Sequence, residues 1–247
     1  EGFDSPRAYH FLTFPFLHFF RPLWCLDPSD PLATMSAAAA ESRQSPSNTL
    51  ECYAPALALS EAPDRLREFL QIYEDARGGK IAPTRSDLDL RRMAKLLPDI
   101  TIMERLEPML VIYRLMGTAV AKRVGADLTG HNFLNYLGQT ERSRVDLGIA
   151  IVTELPCGTF SVYENDYSSG MTVRAETMAL PLDSGSGHAP YLSLGLHASQ
   201  VPVSYGQERE ESMIGTRWKD GLVIDLGYGM PDQTTMDALK IKDDGSN

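Results

Sequence analysis

The stretch that decides the fold runs from Ile100 to Tyr136 and reads ITIMERLEPMLVIYRLMGTAVAKRVGADLTGHNFLNY. Residues 100–106 and 109–116 are rich in Ile, Val, Met and Tyr, which favour β-strands. Glu107-Pro108 interrupts the two runs, and so short a break predicts a β-hairpin.

A short helix, a turn and a second helical piece are predicted after the hairpin. Thr118 can cap a helix over residues 119–124, and Gly125 is a natural C-terminal stop. Residues 127–130 (DLTG) are typical of a turn, because Asp and Thr offer side-chain oxygens to local backbone donors. Residues 131–137 then predict another short helical piece.

This order of elements resembles the opening half of a PAS-type sensory domain, and the local motifs resemble a bacterial family of stand-alone PAS-like proteins. The motifs are PTRSDLD (83–89), LPDI (97–100), YRLMGT (113–118) and GADLTG (125–130). The resemblance covers Leu66 to Ala198. It implies a regulatory or sensory module of α+β fold and names no ligand.

Residues 63–77 predict the first long helix, because apolar side chains recur at helical spacing and Gly78-Gly79 follows. Such a stripe must be buried, either on the sheet of the same chain or on a second copy. The resemblance to other PAS modules favours a homodimer. The predicted partner interface consists of Leu66, Phe69, Leu70, Tyr73 and Arg114.

The remaining elements complete an α+β plan. Ser86 and Asp89 resemble a capping box for a helix ending near Leu97, and residues 140–155 predict the long central helix. Three more strands are predicted over 159–164, 171–182 and 190–198. With the hairpin they form a five-stranded antiparallel sheet with helices on one face.

We expect three regions along the chain. Residues 1–59 form an N-terminal extension, residues 60–199 the PAS-like domain, and residues 200–247 a partly ordered C-terminal extension in which 221–227 is a candidate edge strand. The aromatic leader is unpatterned and Met35 precedes an ordinary polar N-terminus, so we expect natural translation to start at Met35. A signal peptide and an interfacial anchor are the alternatives for the leader.

Composition excludes several classes of protein. A net charge of −10 argues against general binding of nucleic-acid phosphates. Three scattered cysteines without a CxxC motif predict neither a disulfide framework nor a zinc site, and indicate a reducing, cytoplasmic compartment. No apolar run approaches the ~20 residues of a membrane-spanning helix.

The space between helices and sheet in such a fold can hold a small apolar ligand, although a filled core is the competing interpretation. The candidate ligand-binding residues are Tyr113, Leu115, His131, Phe133, Tyr136, Ile149, Phe160 and Leu194, with Val145 beside them.

The direction of Arg114 decides the chemistry of that space. Pointing inward, its guanidinium would bind an anion. We favour Tyr113 inward and Arg114 outward, paired with Glu104 or Glu176, because the Tyr113 face is the more apolar one. The two alternating faces are Met109, Val111, Tyr113 and Leu115 on one side and Leu110, Ile112, Arg114 and Met116 on the other.

No cofactor is indicated. His131 lies where some haem-binding PAS domains place an iron ligand, but a turn histidine is the simpler interpretation. The Asn-Cys-Arg-type motif of flavin-binding photoreceptors does not occur in this sequence. The sequence leaves no room for kinase, cyclase or response-regulator elements, so the expected output of a sensor is a contact with another protein. The alternative is an enzyme that transfers protons, with Asp127 as a base of raised pKa beside Tyr113 and His131.

Overall fold

The computed structural model describes residues 50–168, 170–199 and 213–239. The aromatic leader and the predicted start at Met35 lie outside the described residues. Within the described ranges the chain forms five α-helices: α1 (Ala54–Leu59), α2 (Pro63–Arg77), α3 (Thr118–Val124), α4 (Gln139–Glu154) and α5 (Gln233–Leu239). The strands are β1 (Ile100–Glu107), β2 (Leu110–Met116), β3 (Gly158–Tyr167), β4 (Thr172–Leu182), β5 (Leu192–Ser199) and β6 (Met213–Ile224).

The six strands form one antiparallel sheet in the order β2-β1-β5-β4-β3-β6. The sequence predicted five strands and a candidate edge strand over 221–227. The edge strand instead ends at Ile224 and pairs along β3 from Gly158 to Tyr167. The part outside the predicted range, residues 213–220, contains Gly215 and charged residues at 217, 219 and 220, which hid the strand pattern.

One face of the sheet is covered by α2. The predicted stripe of this helix, Leu66, Phe69, Leu70 and Tyr73, is at most 4% exposed and belongs to one cluster with Ile100, Met178 and Leu196 of the sheet. Gly78 ends the helix in the left-handed conformation, at φ 53°. The stripe therefore packs on its own sheet instead of lying at a partner interface.

A β-bulge in the hairpin sets the directions of the β2 side chains. Between Ile102 and Met103 the register of β1 against β2 shifts by one residue. Tyr113 consequently points to the inner face, where it is buried, and Arg114 lies on the outside, exposed and paired with Glu104. Beyond the bulge the alternation is inverted, because one extra residue moves the following side chains to the other face.

The inversion corrects two predicted positions. Leu115 packs against the cluster beneath α2, whereas Met116 belongs to the inner cluster with Tyr113. The predicted helix from Ser86 to Leu97 is also wrong. Oδ1 of Asp89 accepts hydrogen bonds from the backbone N–H groups of residues 91 and 92, and only short 3₁₀ turns follow, over Arg92–Lys95 and Leu97–Asp99.

Candidate ligand-binding cavity

A cavity of about 460 Å³ lies between the inner face of the sheet and the helices α3, α4 and α5, with the 3₁₀ turn Phe133–Tyr136 beside them. All six strands contribute residues to its floor. Volumes of this size are typical of small-molecule sites.

Small side chains on the central strands leave this space open. Thr159 and Ser161 of β3 and Thr177 and Ala179 of β4 line the cavity and are only partly buried, although they lie in the middle of a covered sheet. Their neighbours along the strands point the other way and are fully packed beneath α2: Phe160, Val162, Met178 and Leu180. At these positions of β3 and β4, one face of the sheet carries large apolar residues and the other carries small residues.

Most of the roof of the cavity is apolar, apart from charged side chains of α3 and α4. It is contributed by α3, the 3₁₀ turn and α4, through Val120, Val124, Phe133, Leu137, Val145 and Ile149. Gly148 of α4 also lines the cavity, and a Cβ added there would meet no atom within 4 Å. A ligand would therefore contact mainly hydrocarbon on the helix side and hydroxyl groups on the sheet side.

A histidine cluster provides the polar centre of the floor. Nε2 of His197 lies 2.8 Å from Oγ1 of Thr101, and its Nδ1 lies 3.0 Å from Oγ1 of Thr177 and 3.3 Å from the hydroxyl of Tyr163. The hydroxyl of Tyr163 also hydrogen-bonds Oγ1 of Thr177. His197, Thr177 and Tyr163 all line the cavity.

The cluster is uncharged at neutral pH. Burial, assisted by the nearby charge of Arg123, lowers the pKa of His197 from 6.5 to about 3. Burial also raises the pKa of the Tyr163 and Tyr113 hydroxyls above their ordinary value. Both ring nitrogens of His197 are engaged within the cluster, so a ligand would meet the hydroxyl groups of Thr177 and Tyr163.

An ion-pair chain connects the cavity to α2. Arg123 of α3 lines the cavity, and its guanidinium lies 2.6 Å from Oδ1 of Asp99. Oδ2 of Asp99 lies 2.6 Å from the guanidinium of Arg65, on α2. Burial alone raises the pKa of Asp99, but the hydrogen bonds from Arg65 and Arg123 outweigh it and lower the pKa overall.

A second charged pair lies at the β6 end of the cavity. Arg144 and Glu141, one turn apart on α4, form a salt bridge of 3.1 Å, and the Arg144 guanidinium stacks 4.8 Å from the ring centre of Trp218. All three residues line the cavity, as do Met236 and Leu239 of α5. Cation–π stacking fixes the orientation of such a guanidinium.

The cavity includes only part of the predicted ligand-binding set. Tyr113, Phe133, Ile149 and Val145 line it, and Phe160 borders it although its ring belongs to the cluster beneath α2. Leu194 also belongs to that cluster, because its position in the alternation of β5 directs its side chain toward α2. Leu115 packs against the same cluster, since it lies beyond the bulge. His131 and Tyr136 are exposed on the turn beside β2 and do not line the cavity.

Sequence reasoning missed His197, Tyr163, Thr177, Arg144 and Trp218. A usable signal was present: on three strands, Thr, Ser, Ala and Gly alternate with large apolar residues. A packed core rarely contains so many small polar side chains in register. In the folded chain these small residues line an internal space.

The comparison with family models decides the assignment. A model described as a PAS domain matches residues 62–197, which is more than half of the chain. The chain belongs to the PAS domain family. The matched residues include β1 to β4, most of β5, and helices α2 to α4. β6 and α5, which supply Trp218 and Met236 to the cavity, follow the matched segment.

Two solved structures are similar to the PAS chain at low identity. One is a light-oxygen-voltage domain studied with a flavin analogue, at 16% identity and a TM-score of 0.35, covering 46% of this chain and 84% of that one. The other is the Vibrio cholerae VqmA dimer, a LuxR-type receptor, at 13% identity and a TM-score of 0.35, covering 51% of this chain and 60% of that one. No curated protein gave a significant match.

Three further observations bear on other functions. Among the described residues, no group of three His, Cys, Asp or Glu side chains could hold a metal ion. No described helix has the length and apolarity needed to cross a bilayer.

Asp127 is exposed and accepts hydrogen bonds from the hydroxyl and backbone N–H of Thr129, which lower its pKa. A lowered pKa contradicts its role as a buried base of raised pKa.

Proposed function

We propose that this PAS domain is a sensory module that binds a small molecule in the cavity between its sheet and helices α3 to α5. The observation that carries the proposal is the open floor. The residues of β3 and β4 that line the cavity are only partly buried, because their small side chains do not fill the space above the sheet. A filled core would place large apolar side chains at these positions.

The ion-pair chain offers a route for the signal. A ligand that contacts Arg123 moves the Arg123 guanidinium relative to Asp99. The same carboxylate also binds Arg65 of α2, the N-terminal flanking helix. The three groups are coupled because both guanidiniums share one carboxylate. Occupancy of the cavity is in this way transmitted to the other face of the sheet.

We further propose that the domain passes its signal on through a protein contact in the bacterial cytoplasm. This contact is made either between the two chains of a homodimer or with another signalling protein. The resemblance to bacterial PAS-like proteins supports this part. Since Leu66, Phe69, Leu70 and Tyr73 are buried in their own chain, such a contact uses other surfaces. Light scattering across protein concentrations tests the homodimer.

A cavity-filling variant tests ligand binding. Gly148→Leu adds a side chain that points into the open cavity and also raises helix propensity, so the variant should fold. We expect native mass spectrometry to show a co-purified small molecule on the wild type and none on the variant. Ser143→Leu, on an exposed position of the same helix, is the control and should retain the ligand. Equal occupancy of wild type and Gly148→Leu would refute binding in this cavity.

A further inference from the structure

We infer that the cavity binds a monoanionic, largely apolar molecule whose carboxylate lies against Arg123 and the hydroxyl groups of Tyr163 and Thr177. This inference rests on the proposed ligand-binding function and specifies the chemistry of the ligand.

Two guanidiniums share one carboxylate at the edge of the cavity. Nη1 of Arg123 lies 2.6 Å from Oδ1 of Asp99, and Nη2 of Arg65 lies 2.6 Å from Oδ2 of the same residue. Glu176, which lines a small surface pocket together with Arg65, is itself paired with Arg174. The Arg123 side chain is only 11% exposed, so water compensates its charge weakly. A ligand carboxylate would therefore balance two guanidiniums with two carboxylates.

The charge of Arg123 acts on the floor of the cavity. Its Nη2 lies 3.4 Å from the backbone oxygen of His197. Burial is the main cause of the lowered pKa of His197, and the charge of Arg123 lowers this pKa further by more than Asp99 raises it. Burial raises the pKa of the Tyr163 hydroxyl, and Arg123 opposes this rise by more than Glu176 adds to it. Both groups thus lie in a positive potential, which favours an anion beside them.

The histidine cluster has a hydrogen to donate to such an anion. Thr101, His197, Thr177 and Tyr163 form a chain of three close contacts, and each of these four side chains carries one polar hydrogen at neutral pH. One hydrogen is therefore left over. If Nδ1 of His197 donates to Thr177, the remaining hydrogen is on the hydroxyl of Thr177 or Tyr163, both of which line the cavity. A bound carboxylate accepts this hydrogen and favours that tautomer.

The β6 end of the cavity is charged but has no excess of either sign. The charged side chains among the described lining residues are Arg123, Glu141 and Arg144. Glu141 and Arg144 form a salt bridge of 3.1 Å, and the Arg144 guanidinium stacks on Trp218. This pair is neutral as a whole, so a single acidic group is favoured at Arg123.

The apolar body of the ligand follows from the rest of the lining. Tyr113 of β2 lies opposite Met103 of β1, which lies opposite Ser193 of β5. His197 is four residues further along β5, so the rings of Tyr113 and Phe133 are roughly 13 Å from the histidine cluster along the strands. This distance gives room for several methylene groups. Aliphatic side chains line the roof of the same cavity: Val120, Val124, Leu137, Val145 and Ile149.

Three eight-carbon probes test the charge preference. Octanoate, octanamide and octylammonium share a chain and differ in the charge of the head group at neutral pH. We expect calorimetric titration of the protein, freed of any co-purified small molecule, to show octanoate binding at least about tenfold more tightly than octanamide. Octylammonium should bind most weakly.

A matched pair of variants tests the role of Arg123. Arg123→Gln removes the charge while Asp99 stays paired with Arg65, so the ratio of octanoate to octanamide affinity should fall about tenfold or more. Lys122→Gln removes the same charge from the preceding residue of α3, which is exposed and does not line the cavity, and should keep the wild-type ratio. An equal ratio in the two folded variants would overturn the assignment of the carboxylate to Arg123.

Tyr163→Phe tests the position of the carboxylate independently of Arg123. The substitution removes one hydroxyl group and keeps the ring. Because a hydrogen bond to a charged acceptor is stronger than one to a neutral acceptor, octanoate affinity should fall about tenfold and octanamide affinity by less. Unchanged octanoate affinity would overturn the placement of the carboxylate at the histidine cluster.

The outcomes separate the two proposals. Tighter binding of octanamide or octylammonium than of octanoate to the wild type would overturn the inference while leaving ligand binding intact, as would a co-purified molecule that is uncharged or cationic. Binding of none of the three probes, combined with no co-purified small molecule on the wild type, would overturn the ligand-binding function and this inference with it.

Discussion

Nε2 of His197 lies 2.8 Å from Oγ1 of Thr101, and this contact joins β5 to β1 on the floor of the cavity. Gly195 makes the approach possible. A Cβ at Gly195 would lie 2.8 Å from Oγ1 of Thr101 and 3.3 Å from Nε2 of His197, so any larger residue must push the two partners apart.

We therefore expect Gly195→Ala to lower the free energy of unfolding by about 1–3 kcal/mol, as overpacking in a well-packed site does. Urea denaturation measures the change. Gly148→Ala is the matched control, because its new methyl group enters open space in α4 and should stabilise the protein by about 0.5–1 kcal/mol. Equal effects of the two substitutions would contradict the close approach at Gly195.

His197 should make stability depend on pH. In the folded chain its pKa is lowered to about 3, whereas the unfolded chain protonates it near its ordinary value of 6.5. The unfolded state therefore binds more protons below pH 6.5, so the stabilisation is present above that pH and is lost as the pH falls toward 3. The slope from this residue approaches about 1.4 kcal/mol per pH unit.

Comparison with His197→Gln isolates this contribution. The free energy of unfolding is measured by urea denaturation between pH 7 and pH 5 for both proteins. We expect the wild type to lose stability more steeply than the variant over this range. Parallel curves would show that His197 is protonated equally readily in the folded and unfolded chains.

The hairpin, the long helices and the membership of the PAS family could be predicted because each rests on a local pattern. In α2 the 3.6-residue spacing of Leu66, Phe69, Leu70 and Tyr73 is sufficient, because the helix has one buried stripe. β6 was largely missed. Its charged and glycine residues suit an edge strand, and its partner β3 lies some fifty residues away in sequence.

The cavity floor could not be assigned from alternation alone. Both faces of this sheet are covered, one by α2 and the other by α3 and α4, so an apolar face does not identify the cavity side. The large aliphatic side chains of β3 to β5, including Leu194, pack beneath α2, whereas small and polar side chains of these strands line the cavity. The bulge after Ile102 then moved Leu115 to the opposite face, which no periodicity in the sequence indicates.

A buried ion pair should stabilise the attachment of α4 to the sheet. Arg105 of β1 contacts both carboxylate oxygens of Asp146 at 3.0 Å and also pairs with Glu154, and the Arg105 and Asp146 side chains are about 90% buried. Asp146→Ala leaves the Arg105 charge partly uncompensated, so we expect the free energy of unfolding to fall by about 3–5 kcal/mol. Thermal or urea unfolding measures the loss.

The outer pair of the hairpin provides the comparison. Glu104 and Arg114 form an ion pair whose side chains are 33% and 45% exposed. Glu104→Ala should cost at most about 1 kcal/mol, because solvent screens exposed pairs. A loss for Asp146→Ala as small as that for Glu104→Ala would show that α4 does not depend on this contact.

Phe69 tests whether α2 packs on its own sheet or on a second copy. Its ring is 1% exposed in the single chain and belongs to the cluster with Met178 and Leu196. Phe69→Ala should lower the free energy of unfolding by about 3–5 kcal/mol, through lost burial and a residual cavity. The loss should be the same at low and high micromolar protein concentration, because folding of one chain buries the ring. Arg67→Ala, an exposed position on the same helix, should change stability by less than about 1 kcal/mol. A loss for Phe69→Ala that varies with protein concentration would place the ring at an interface between copies.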